Sequence, residues 1–469
     1  MKRSDRILWI GGGAGLLVLL LAVAFAPQVL AQSKPSKTEE YVDTFAEIFR
    51  YIENNFVEEI DPATLFEGAL EGLFGVLDDP YSYYLDEVDF TSLSDTTSGN
   101  FGGVGLIISK VDSDPSDPEA APAFIEVVAP IEGTPAYRAG VSAGDLITAI
   151  EGDTTEELSI DEVVAHLRGD PGTVVTVTIK RRSRSLFDIE ITRDVIEVPT
   201  VKSAMIGDEI GYIRITNFTP FTDNRVESAI FDLELSRYKG LVIDVRNNPG
   251  GLLRSVIDTA DLFLAGVTIV TTKSRVRREN EIYTAEESRL VPDDIPIVVL
   301  INKGSASASE ILAGALRDND RALLVGETTY GKASVQQVKD LGEIGFKITT
   351  ARYYTPSGRN IDEVGIDPDR IVVEPELDET DQGELDKMIE GRLIELFVEE
   401  TSDPTEVEIG QFIEGLADQE ITLEERLVRR MVRNELNRTN NDPPIYDLEF
   451  DLPLREAVRI LKQDLLSAR

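Results

Sequence analysis

Apolar residues near the N terminus recur at the spacing of an α-helix. The stripe includes Val42, Phe45, Ile48, Phe49 and Ile52. This spacing predicts an amphipathic helix over residues 41–51. A second helix is predicted over residues 62–77, because Pro62 follows Asp61 and these residue types favour the start of a helix. We therefore expect a helical segment over residues 38–95.

From residue 101 the pattern changes to short apolar strands separated by glycines. It predicts strands at residues 107–108, 124–128 and 174–180, and a helix over residues 160–167. Gly103 and Gly105 directly precede the first of these strands. Consecutive backbone N–H groups there could converge into a nest that binds a carboxylate. A plain tight turn is the alternative.

An apolar groove is predicted between the first of these strands and the helix over residues 160–167. Such a groove binds an extended peptide as an added strand. Its expected contacts are Gly103, Val104, Gly105, Leu106, Val163 and Leu167. His166 lies in the same helix, so we expect it at the groove or at its solvent edge rather than in catalysis.

Beyond residue 197, apolar strands alternate with helical segments. Strands are predicted over residues 210–216, 240–247 and 295–302, and helices over residues 224–235 and 252–263 and from Ala308 onward. This order predicts an α/β layer structure with parallel strands and crossover helices. The carboxyl ends of parallel strands meet at one edge of a sheet, where ligands usually bind.

Composition removes several classes of function. The chain has 469 residues, which is enough for several domains, and a formal net charge of −40, which disfavours nucleic acid as a partner. It has no cysteine, so thiol nucleophiles, thiolate metal sites and disulfides are excluded. His166 is the only histidine, so a histidine-rich metal site is excluded and a hydrolase with a side-chain nucleophile would need another base.

The first 31 residues are typical of an export signal. Lys2, Arg3 and Arg6 precede an apolar run over residues 7–26, and Ala31 completes a small-residue cleavage site. The run is also near the length of a membrane span, so an uncleaved anchor is the alternative. Either reading places the body of the protein outside the cytoplasm, on the periplasmic side, and has this segment engage the membrane or the export machinery.

Ser307 is the first candidate for chemistry. In NKGSASASE it follows a buried strand and stands at the start of a helix, where N–H groups without partners and the positive end of the dipole favour an oxyanion. The alternative is a helix cap, because Ser307 and Glu310 have the spacing of a capping box.

Lys332 follows the next strand, in GETTYGKASVQQ, and can act as a general base when its amine is neutral. Gln336 would orient the amine without adding charge if the chain is helical there, whereas an extended chain would separate the two side chains. The same residues match the phosphate loop GxxxxGK, but Ala333 stands where that loop has Ser or Thr. A nucleotide hydrolase is therefore a weaker alternative.

A third glycine-rich turn ends the strand in LVIDVRNNPGG. The N–H groups of Gly250, Gly251 and Ala308 are candidates for an oxyanion hole, although the two glycines are equally compatible with a plain turn. Asp244 and Arg246 are interpreted as a structural ion pair.

Together these motifs, with GLFGVLDDPYSYY before them and YYTPSGRNIDEVGIDPD after them, resemble the carboxyl-terminal processing (tail-specific) peptidases. Residues 98–193 resemble a PDZ domain. The resemblance implies a ClpP/crotonase-like α/β core, with Ser307 as nucleophile, Lys332 as base and Gln336 as the orienting residue. It also implies cleavage of protein substrates near their C termini, capture of apolar tails by the PDZ-like domain, and no cofactor.

The chain departs from that family after residue 373. An acidic stretch over residues 374–441 intervenes before YDLEFDLPLREAVRILKQ, which resembles the family's usual ending. The stretch is interpreted as an insertion that packs on the core, mediates a homo-oligomer contact or stays solvated. The expected domains are a signal or anchor at 1–31, a helical segment at 38–95, a PDZ-like domain at 98–193, a peptidase core at 196–373, the insertion at 374–441 and a C-terminal return at 442–469.

A binding protein with an inactive peptidase core is the alternative of a different class. In that case the PDZ-like groove would carry the function. The complete set of Ser307, Lys332 and Gln336 favours the enzyme.

Overall fold

A computed structural model describes most of the chain after its first 35 residues. The described residues are 36–110, 124–131, 133–181, 186–342, 344–373, 379–401, 404–439 and 444–467. The predicted signal or anchor at residues 1–31 and the acidic loop near residues 112–122 lie outside them. The chain divides into two compact units, Met1–Tyr84 and Leu85–Arg469, which are described separately below.

The first unit contains two helices, α1 (Lys37–Asn55) and α2 (Pro62–Gly75). Ser36 caps α1 by accepting a hydrogen bond from the N–H of Glu39, whose carboxylate accepts from the N–H of Ser36. The Asp61 side chain caps α2 by accepting from the N–H of Ala63 at 3.0 Å, as its position before Pro62 predicts. Among the helices that the structure describes, none combines the length and the apolarity needed to cross a bilayer.

The PDZ-like module occupies the start of the second unit. The elements up to the end of this module are β1 (Tyr83–Leu85, at the junction of the units), α3 (Glu87–Ser98), β2 (Asn100–Gly103), β3 (Leu106–Lys110), β4 (Ile125–Pro130), α4 (Pro135–Arg138), β5 (Leu146–Ile150), β6 (Asp153–Thr154), α5 (Ile160–Leu167), β7 (Val174–Lys180), β8 (Phe187–Thr192) and β9 (Asp194–Glu197). Helix α5 and strand β7 have the bounds predicted from the sequence.

The module's sheet has the order β3-β4-β5-β7-β8, with β6 beside β5. Its ladders are antiparallel, and β3 lies at one end of this described order. Strands β2 and β9 pair with each other at the points where the chain enters and leaves the module. The chain therefore leaves the module beside the point where it enters it.

The peptidase-like core contains a sheet of the order β10-β11-β12-β15-β16-β19. Its elements are β10 (Val201–Ile206), β11 (Ile210–Ile215), α6 (Thr222–Leu235), β12 (Gly240–Asp244), α7 (Leu253–Asp261), β15 (Ile297–Ile301), α8 (Ala308–Asp318), β16 (Ala322–Gly326) and β19 (Arg370–Ile371). Strands β11, β12, β15 and β16 are parallel, as their continuous apolar runs and intervening helices predict. Their carboxyl ends therefore meet at one edge.

Antiparallel strands that the sequence analysis did not predict lie beside this sheet. They are β13 (Thr268–Ser274), β14 (Glu281–Thr284), β17 (Ser334–Asp340) and β18 (Gly345–Tyr354), with a short 3₁₀ turn at Arg277–Glu279. β18 pairs with both β13 and β17. Long hairpin strands with mixed polar residues give little periodic signal, because only one of their faces is buried.

Residues 379–401 and 404–439 form a helical region with its own apolar cluster. Its helices are α9 (Glu379–Glu390), α10 (Leu393–Thr401), α11 (Glu406–Leu416, followed by a 3₁₀ turn at Ala417–Gln419) and α12 (Glu425–Thr439). The rings of Phe397 and Phe412 stack with centroids 4.3 Å apart. These helices pack on one another, an arrangement that the sequence analysis did not consider.

Helix α13 (Leu452–Ser467) returns to the core sheet. Its buried residues Leu454, Ala457, Val458 and Leu461 share an apolar cluster with strands β10, β11, β12, β15 and β16. Helices α6, α7 and α8 cover the opposite face. Both faces of the parallel sheet are therefore covered, as such sheets require.

We expect Leu461→Ala to destabilise the core, because Leu461 is fully buried against the sheet. Loss of a buried leucine side chain in such a place costs about 2–5 kcal/mol. The matched control is Leu466→Ala in the same helix, since Leu466 is 68 % exposed. The urea midpoint should fall for the first variant and stay near wild type for the second; equal midpoints would contradict this role of α13.

Candidate active site

Ser307 directly precedes α8, as predicted, and has an unusual backbone conformation. Its φ is 54° and its ψ is −111°, which side-chain-bearing residues rarely adopt. Such strained residues persist only where the surrounding structure enforces them, and they cluster at functional sites. The turn places Ser307 at the N terminus of the helix, where the peptide dipoles favour negative charge.

The start of α8 is capped by Glu310 and by the main chain. The Glu310 carboxylate accepts a hydrogen bond from the N–H of Ser307 at 2.8 Å. The N–H groups of Glu310 and Ile311 both donate to the Ser307 carbonyl oxygen, at 2.9 and 3.0 Å. The capping box that the spacing of Ser307 and Glu310 predicts is therefore present at the start of this helix.

The same Glu310 carboxylate also binds the loop that carries Lys332. Glu310 is fully buried, and it accepts hydrogen bonds from the Thr329 hydroxyl at 2.6 Å, from the Gly331 N–H at 2.7 Å and from the Lys332 N–H at 2.9 Å. Together with the bond from Ser307, one carboxylate receives donors from both candidate catalytic segments. Glu310 therefore sets the distance between the two loops.

Tyr353 of β18 makes a second connection between the loops. Its hydroxyl lies 3.1 Å from the Ser307 carbonyl oxygen and also contacts the Lys332 carbonyl oxygen. Burial and the nearby Glu310 carboxylate raise the pKa of Tyr353 well above its usual value. The phenol therefore stays protonated and remains a donor across the working pH range.

Ser307, Lys332 and Gln336 line one cavity of about 300 Å³. Gln336 lies in strand β17, so the extended alternative for this segment is the observed one. Its amide nitrogen donates to the Ser334 hydroxyl at 2.7 Å and lies 3.4 Å from the Thr349 hydroxyl. Gln336 thus shares the cavity with Lys332, and its amide group is held by neighbours on the hairpin.

Gly250 and Gly251 line the same cavity, with φ angles of +113° and +141°. A Cβ at Gly250 would lie 2.8 Å from the Ser307 Cβ, so glycine lets this turn approach Ser307. The Gly250 N–H donates to the Asn248 side-chain oxygen at 2.9 Å. One of the three N–H groups predicted for the oxyanion hole is therefore already hydrogen-bonded. Ala308, the third predicted donor residue, also lines the cavity.

Asn248 ties this glycine turn to the Ser307 segment. It is fully buried, and its carbonyl oxygen accepts from the Ala306 N–H at 3.0 Å and from the Ser309 hydroxyl at 2.9 Å. Its side-chain amide donates to the Ile215 carbonyl oxygen at 3.0 Å. The two turns are therefore held together at the carboxyl edge of the sheet.

Asp244 and Arg246 form the predicted structural ion pair, with their closest atoms 2.6 Å apart. Burial by itself would raise the pKa of Asp244, but Arg246 and the Tyr212 hydroxyl hold it below its usual value. Arg246 also binds Asp451 at 2.6 Å, in the segment that begins α13. The end of β12 is thereby fastened to the C-terminal helix.

The predicted tail-binding residues fall into two groups. Val104, Val163 and Leu167 are buried in the apolar core of the PDZ-like module, so their side chains serve its packing. Leu106, at the start of the edge strand β3, is half-buried against that core.

The two glycines before β3 differ in their roles. Gly103 pairs with Asp194 in the ladder between β2 and β9, whereas Gly105 has a φ of +81° and packs against Thr134. His166 is exposed on α5, in agreement with a solvent-edge position, and is not among the residues that line the Ser307 cavity.

The structure contradicts the phosphate-loop alternative. A phosphate loop leads from a strand into a helix whose N terminus binds the phosphates. Strand β17 follows Lys332 instead, and the N–H groups of Gly331 and Lys332 already donate hydrogen bonds to the Glu310 carboxylate. No helix N terminus is therefore available at this loop.

Three residues of the site were not predicted to act there. Glu310 was recognised only as a capping partner, and Asn248 and Tyr353 were not singled out. Burial of polar side chains is the property they share, and a single sequence does not display it. The spacing of Glu310 from Ser307 was the one usable signal, because a capping box places the glutamate beside the N-cap backbone.

Comparison with known families assigns the parts of the chain. A model of peptidase family S41 matches residues 209–372, and a PDZ domain model matches residues 126–181. A model of the N-terminal domain of the activating protease CtpB matches residues 22–88.

Relatives named as C-terminal processing proteases match most of the chain. A carboxy-terminal-processing protease of Bartonella bacilliformis is 39 % identical over 376 residues, covering 79 % of this chain and 83 % of the relative. The carboxy-terminal processing protease CtpA of Bacillus subtilis is 34 % identical, covering 75 % of this chain and 73 % of the relative. A photosystem II D1 C-terminal processing protease of known structure is 28 % identical, with a TM-score of 0.43, covering 70 % of this chain and 92 % of that one.

We expect Glu310→Gln to lower kcat by roughly ten- to a hundredfold with little change in KM. The amide nitrogen of glutamine would face N–H donors, so bonds to a charged acceptor, worth about 1.5–3 kcal/mol each, are lost. Steady-state kinetics with a peptide substrate measures kcat and KM, and thermal melting measures whether the fold is retained. Glu234→Gln, at an exposed position of α6, is the control; wild-type kcat in Glu310→Gln would show that the carboxylate does not position the loops.

Proposed function

The chain belongs to peptidase family S41, as a serine peptidase of the carboxyl-terminal processing kind, and from this premise we propose that Ser307 and Lys332 form its catalytic dyad. Its substrates are proteins cleaved at or near their C termini. The observation that best supports the dyad is the common attachment of both loops to Glu310 beside one cavity.

The proposed reaction begins with attack of the Ser307 Oγ on the scissile carbonyl carbon. The neutral Lys332 amine takes the hydroxyl proton, and the N–H groups of Gly251 and Ala308 donate to the oxygen that becomes negative. Collapse of the tetrahedral intermediate breaks the peptide C–N bond, and the ammonium of Lys332 returns its proton to the leaving amine. Lys332 then takes a proton from a water molecule, whose oxygen attacks the acyl carbon; the ester bond to the Ser307 Oγ breaks and the ammonium of Lys332 returns the proton to that oxygen.

Gln336 lies in the extended strand β17, so it does not stack above Lys332 as a helical turn would place it, and its proposed orienting role acts through the cavity wall that the two residues share. The Gln336 amide donates a hydrogen bond to the Ser334 hydroxyl and lines the same cavity as Lys332. It gives the cavity a polar group that carries no charge. A neutral neighbour is favourable because a carboxylate at the same place would stabilise the charged form of the lysine.

The PDZ-like module is proposed to capture the substrate tail. Strand β3 lies at the end of the described sheet order, and α5 packs beside it. This is the arrangement in which an extended peptide adds to a sheet edge. Gly105, with its positive φ, supplies the turn before β3, and Leu106 offers a partly exposed apolar side chain.

Export is also part of the proposal. The N-terminal segment carries basic residues followed by an apolar run and a small-residue cleavage site. We place the catalytic body outside the cytoplasm on the periplasmic side. N-terminal sequencing of the mature protein distinguishes a removed signal from a retained anchor.

We expect Ser307→Ala and Lys332→Ala each to abolish cleavage of an unfolded protein with an apolar tail, while the fold is retained. The first removes the nucleophile and the second removes the base. Mass spectrometry of the products measures cleavage, and circular dichroism measures the fold. Lys339→Ala is the control, because Lys339 is exposed on β17, the strand that follows Lys332.

The pH dependence supplies a second readout of the dyad. Only the neutral amine accepts a proton, so kcat/KM should rise with pH as the neutral fraction of Lys332 grows. Activity in either alanine variant, or a flat profile from neutral to alkaline pH, would overturn the assignment. Tail-peptide binding without turnover in the folded wild type would favour a scaffold.

We expect Leu106→Asp to raise KM for proteins with apolar tails by roughly tenfold, because it places a charge at the start of the tail-binding strand. Ile107→Asp is the control, since successive side chains on a strand point to opposite faces and Ile107 is 51 % exposed. Steady-state kinetics with a tailed substrate measures the difference. Similar KM values for the two variants would argue against tail binding along β3.

A further inference from the structure

The loop after strand β11 runs beside the glycine turn at the Ser307 cavity. Phe218 and Gly251 form a parallel bridge between the two segments. The Phe218 N–H donates to the Gly250 carbonyl oxygen at 2.9 Å. Asn217, Phe218 and both glycines line the cavity. The loop is therefore part of the cavity wall next to Gly251, one of the proposed oxyanion donors.

The Asn217 side chain lies against the glycine turn. Its Oδ1 accepts a hydrogen bond from the Phe218 N–H at 2.7 Å, and a Cβ at Gly251 would lie only 2.7 Å from the same oxygen. Glycine at position 251 therefore gives the Asn217 amide its room. Because an amide nitrogen cannot accept a hydrogen bond, the bond from Phe218 fixes which end of the side chain is the oxygen.

A network of buried hydroxyls holds this loop in place. The Thr222 hydroxyl donates to the Asn217 carbonyl oxygen at 3.1 Å and accepts from the Thr219 N–H at 3.0 Å. It also lies 2.9 Å from the Thr200 hydroxyl, and all three threonines are buried. The side chain of Asn217 therefore starts from a fixed backbone, as a preorganised donor requires.

The amide nitrogen of Asn217 is open to the cavity. Among the described residues, the hydrogen bond of this side chain is the one that its oxygen accepts. The nitrogen is not one of the buried polar atoms without a partner in that part of the chain, and Asn217 is a half-buried residue of the cavity lining. Water can satisfy such a donor in the free enzyme, and a substrate oxygen can replace that water.

The oxyanion hole predicted from the sequence lacks one of its donors. The Gly250 N–H is bonded to the Asn248 side chain, so two of the three predicted N–H groups remain, those of Gly251 and Ala308. A developing oxyanion is stabilised by each donor that is already in position, and most strongly where water is excluded. Asn217 places a side-chain NH₂ group beside Gly251.

We propose that the Asn217 side-chain amide is a further donor of the oxyanion hole. Its nitrogen donates a hydrogen bond to the scissile carbonyl oxygen as that oxygen becomes negative, together with the N–H groups of Gly251 and Ala308. The inference rests on the proposed function, because it adds a group to the same reaction. Asn217 keeps its own protons, so proton transfer from Ser307 to Lys332 is unchanged.

The test compares kcat and KM of the full-length protein and its Asn217→Asp variant on a quenched peptide with an apolar tail. The carboxylate keeps an oxygen that accepts from the Phe218 N–H, but it offers no hydrogen to the substrate. Removal of one side-chain oxyanion donor lowers kcat of a serine peptidase by about a hundred- to a thousandfold. We expect a loss of that size, with KM within about twofold of wild type.

Measurement across the pH range separates the lost donor from the added charge. A carboxylate near Lys332 would favour its ammonium form, and this effect disappears at alkaline pH, where the amine is neutral. The loss of the donor persists there. Asn217→Ala removes the donor without adding charge and should lower kcat similarly. Asn224→Asp makes the same exchange at an exposed position of α6 and should change neither kcat nor KM.

A peptide aldehyde supplies a readout that does not need turnover. The Ser307 Oγ bonds to the aldehyde carbon, its proton passes to the Lys332 amine, and the former carbonyl oxygen becomes an oxyanion. Such an adduct resembles the transition state, so its inhibition constant should rise in both Asn217 variants by about the factor by which kcat/KM falls. The matching peptide alcohol forms no adduct and should bind wild type and variants alike.

The outcomes separate this inference from the proposed function. If Asn217→Asp keeps wild-type kcat while Asn217→Ala loses it, the side chain only holds the loop through Phe218 and the assignment is wrong. If both variants raise KM and keep kcat, the amide binds another part of the substrate and the assignment is also wrong. In both cases the dyad stands.

Two controls complete the comparison. Thermal melting identifies a variant that has lost its fold, and the other Asn217 variant then decides through its kcat and its aldehyde inhibition. If wild type cleaves neither the peptide nor unfolded proteins, the proposed function is wrong and the inference falls with it.

Discussion

The proposed active site depends on one buried carboxylate. Glu310 accepts hydrogen bonds from the backbone of Ser307, from the Lys332 loop and from Thr329, and the Tyr353 hydroxyl lies 3.4 Å from it. A carboxylate without water must be satisfied by several donors, and here the donors come from separate parts of the chain. The free energy that holds Glu310 in place is therefore the same free energy that brings the two loops together.

The elements around the site could be predicted from the sequence wherever the signal was local. Helix α8 begins at Ala308 because a buried strand, a small-residue turn and a capping pair precede it, and this was sufficient to place Ser307. The strand β17 could not be predicted, because its partner β18 supplies the pairing. The contacts of Glu310 with the Lys332 loop and with Tyr353 join residues 19 to 43 positions apart, and no periodicity encodes such contacts.

Two chemical environments meet at the carboxyl edge of the parallel sheet. On one side lie backbone groups held by Asn248 and by Glu310, and these have fixed positions because their partners are buried. On the other side lie the hairpin side chains of β17 and β18, which are partly exposed. Fixed backbone donors suit a reaction that is common to all substrates, whereas side chains on an open strand suit discrimination among them.

The attachment of Arg246 to Asp451 makes the edge of the sheet depend on a remote part of the chain. Asp451 lies 205 positions from Arg246, in the segment that leads into α13, and the buried residues of α13 cover one face of the central sheet. Without this segment, that face would be uncovered and Arg246 would lose one of its two carboxylate partners. A truncation far from Ser307 would therefore loosen the end of β12, from which the glycine turn beside Ser307 begins.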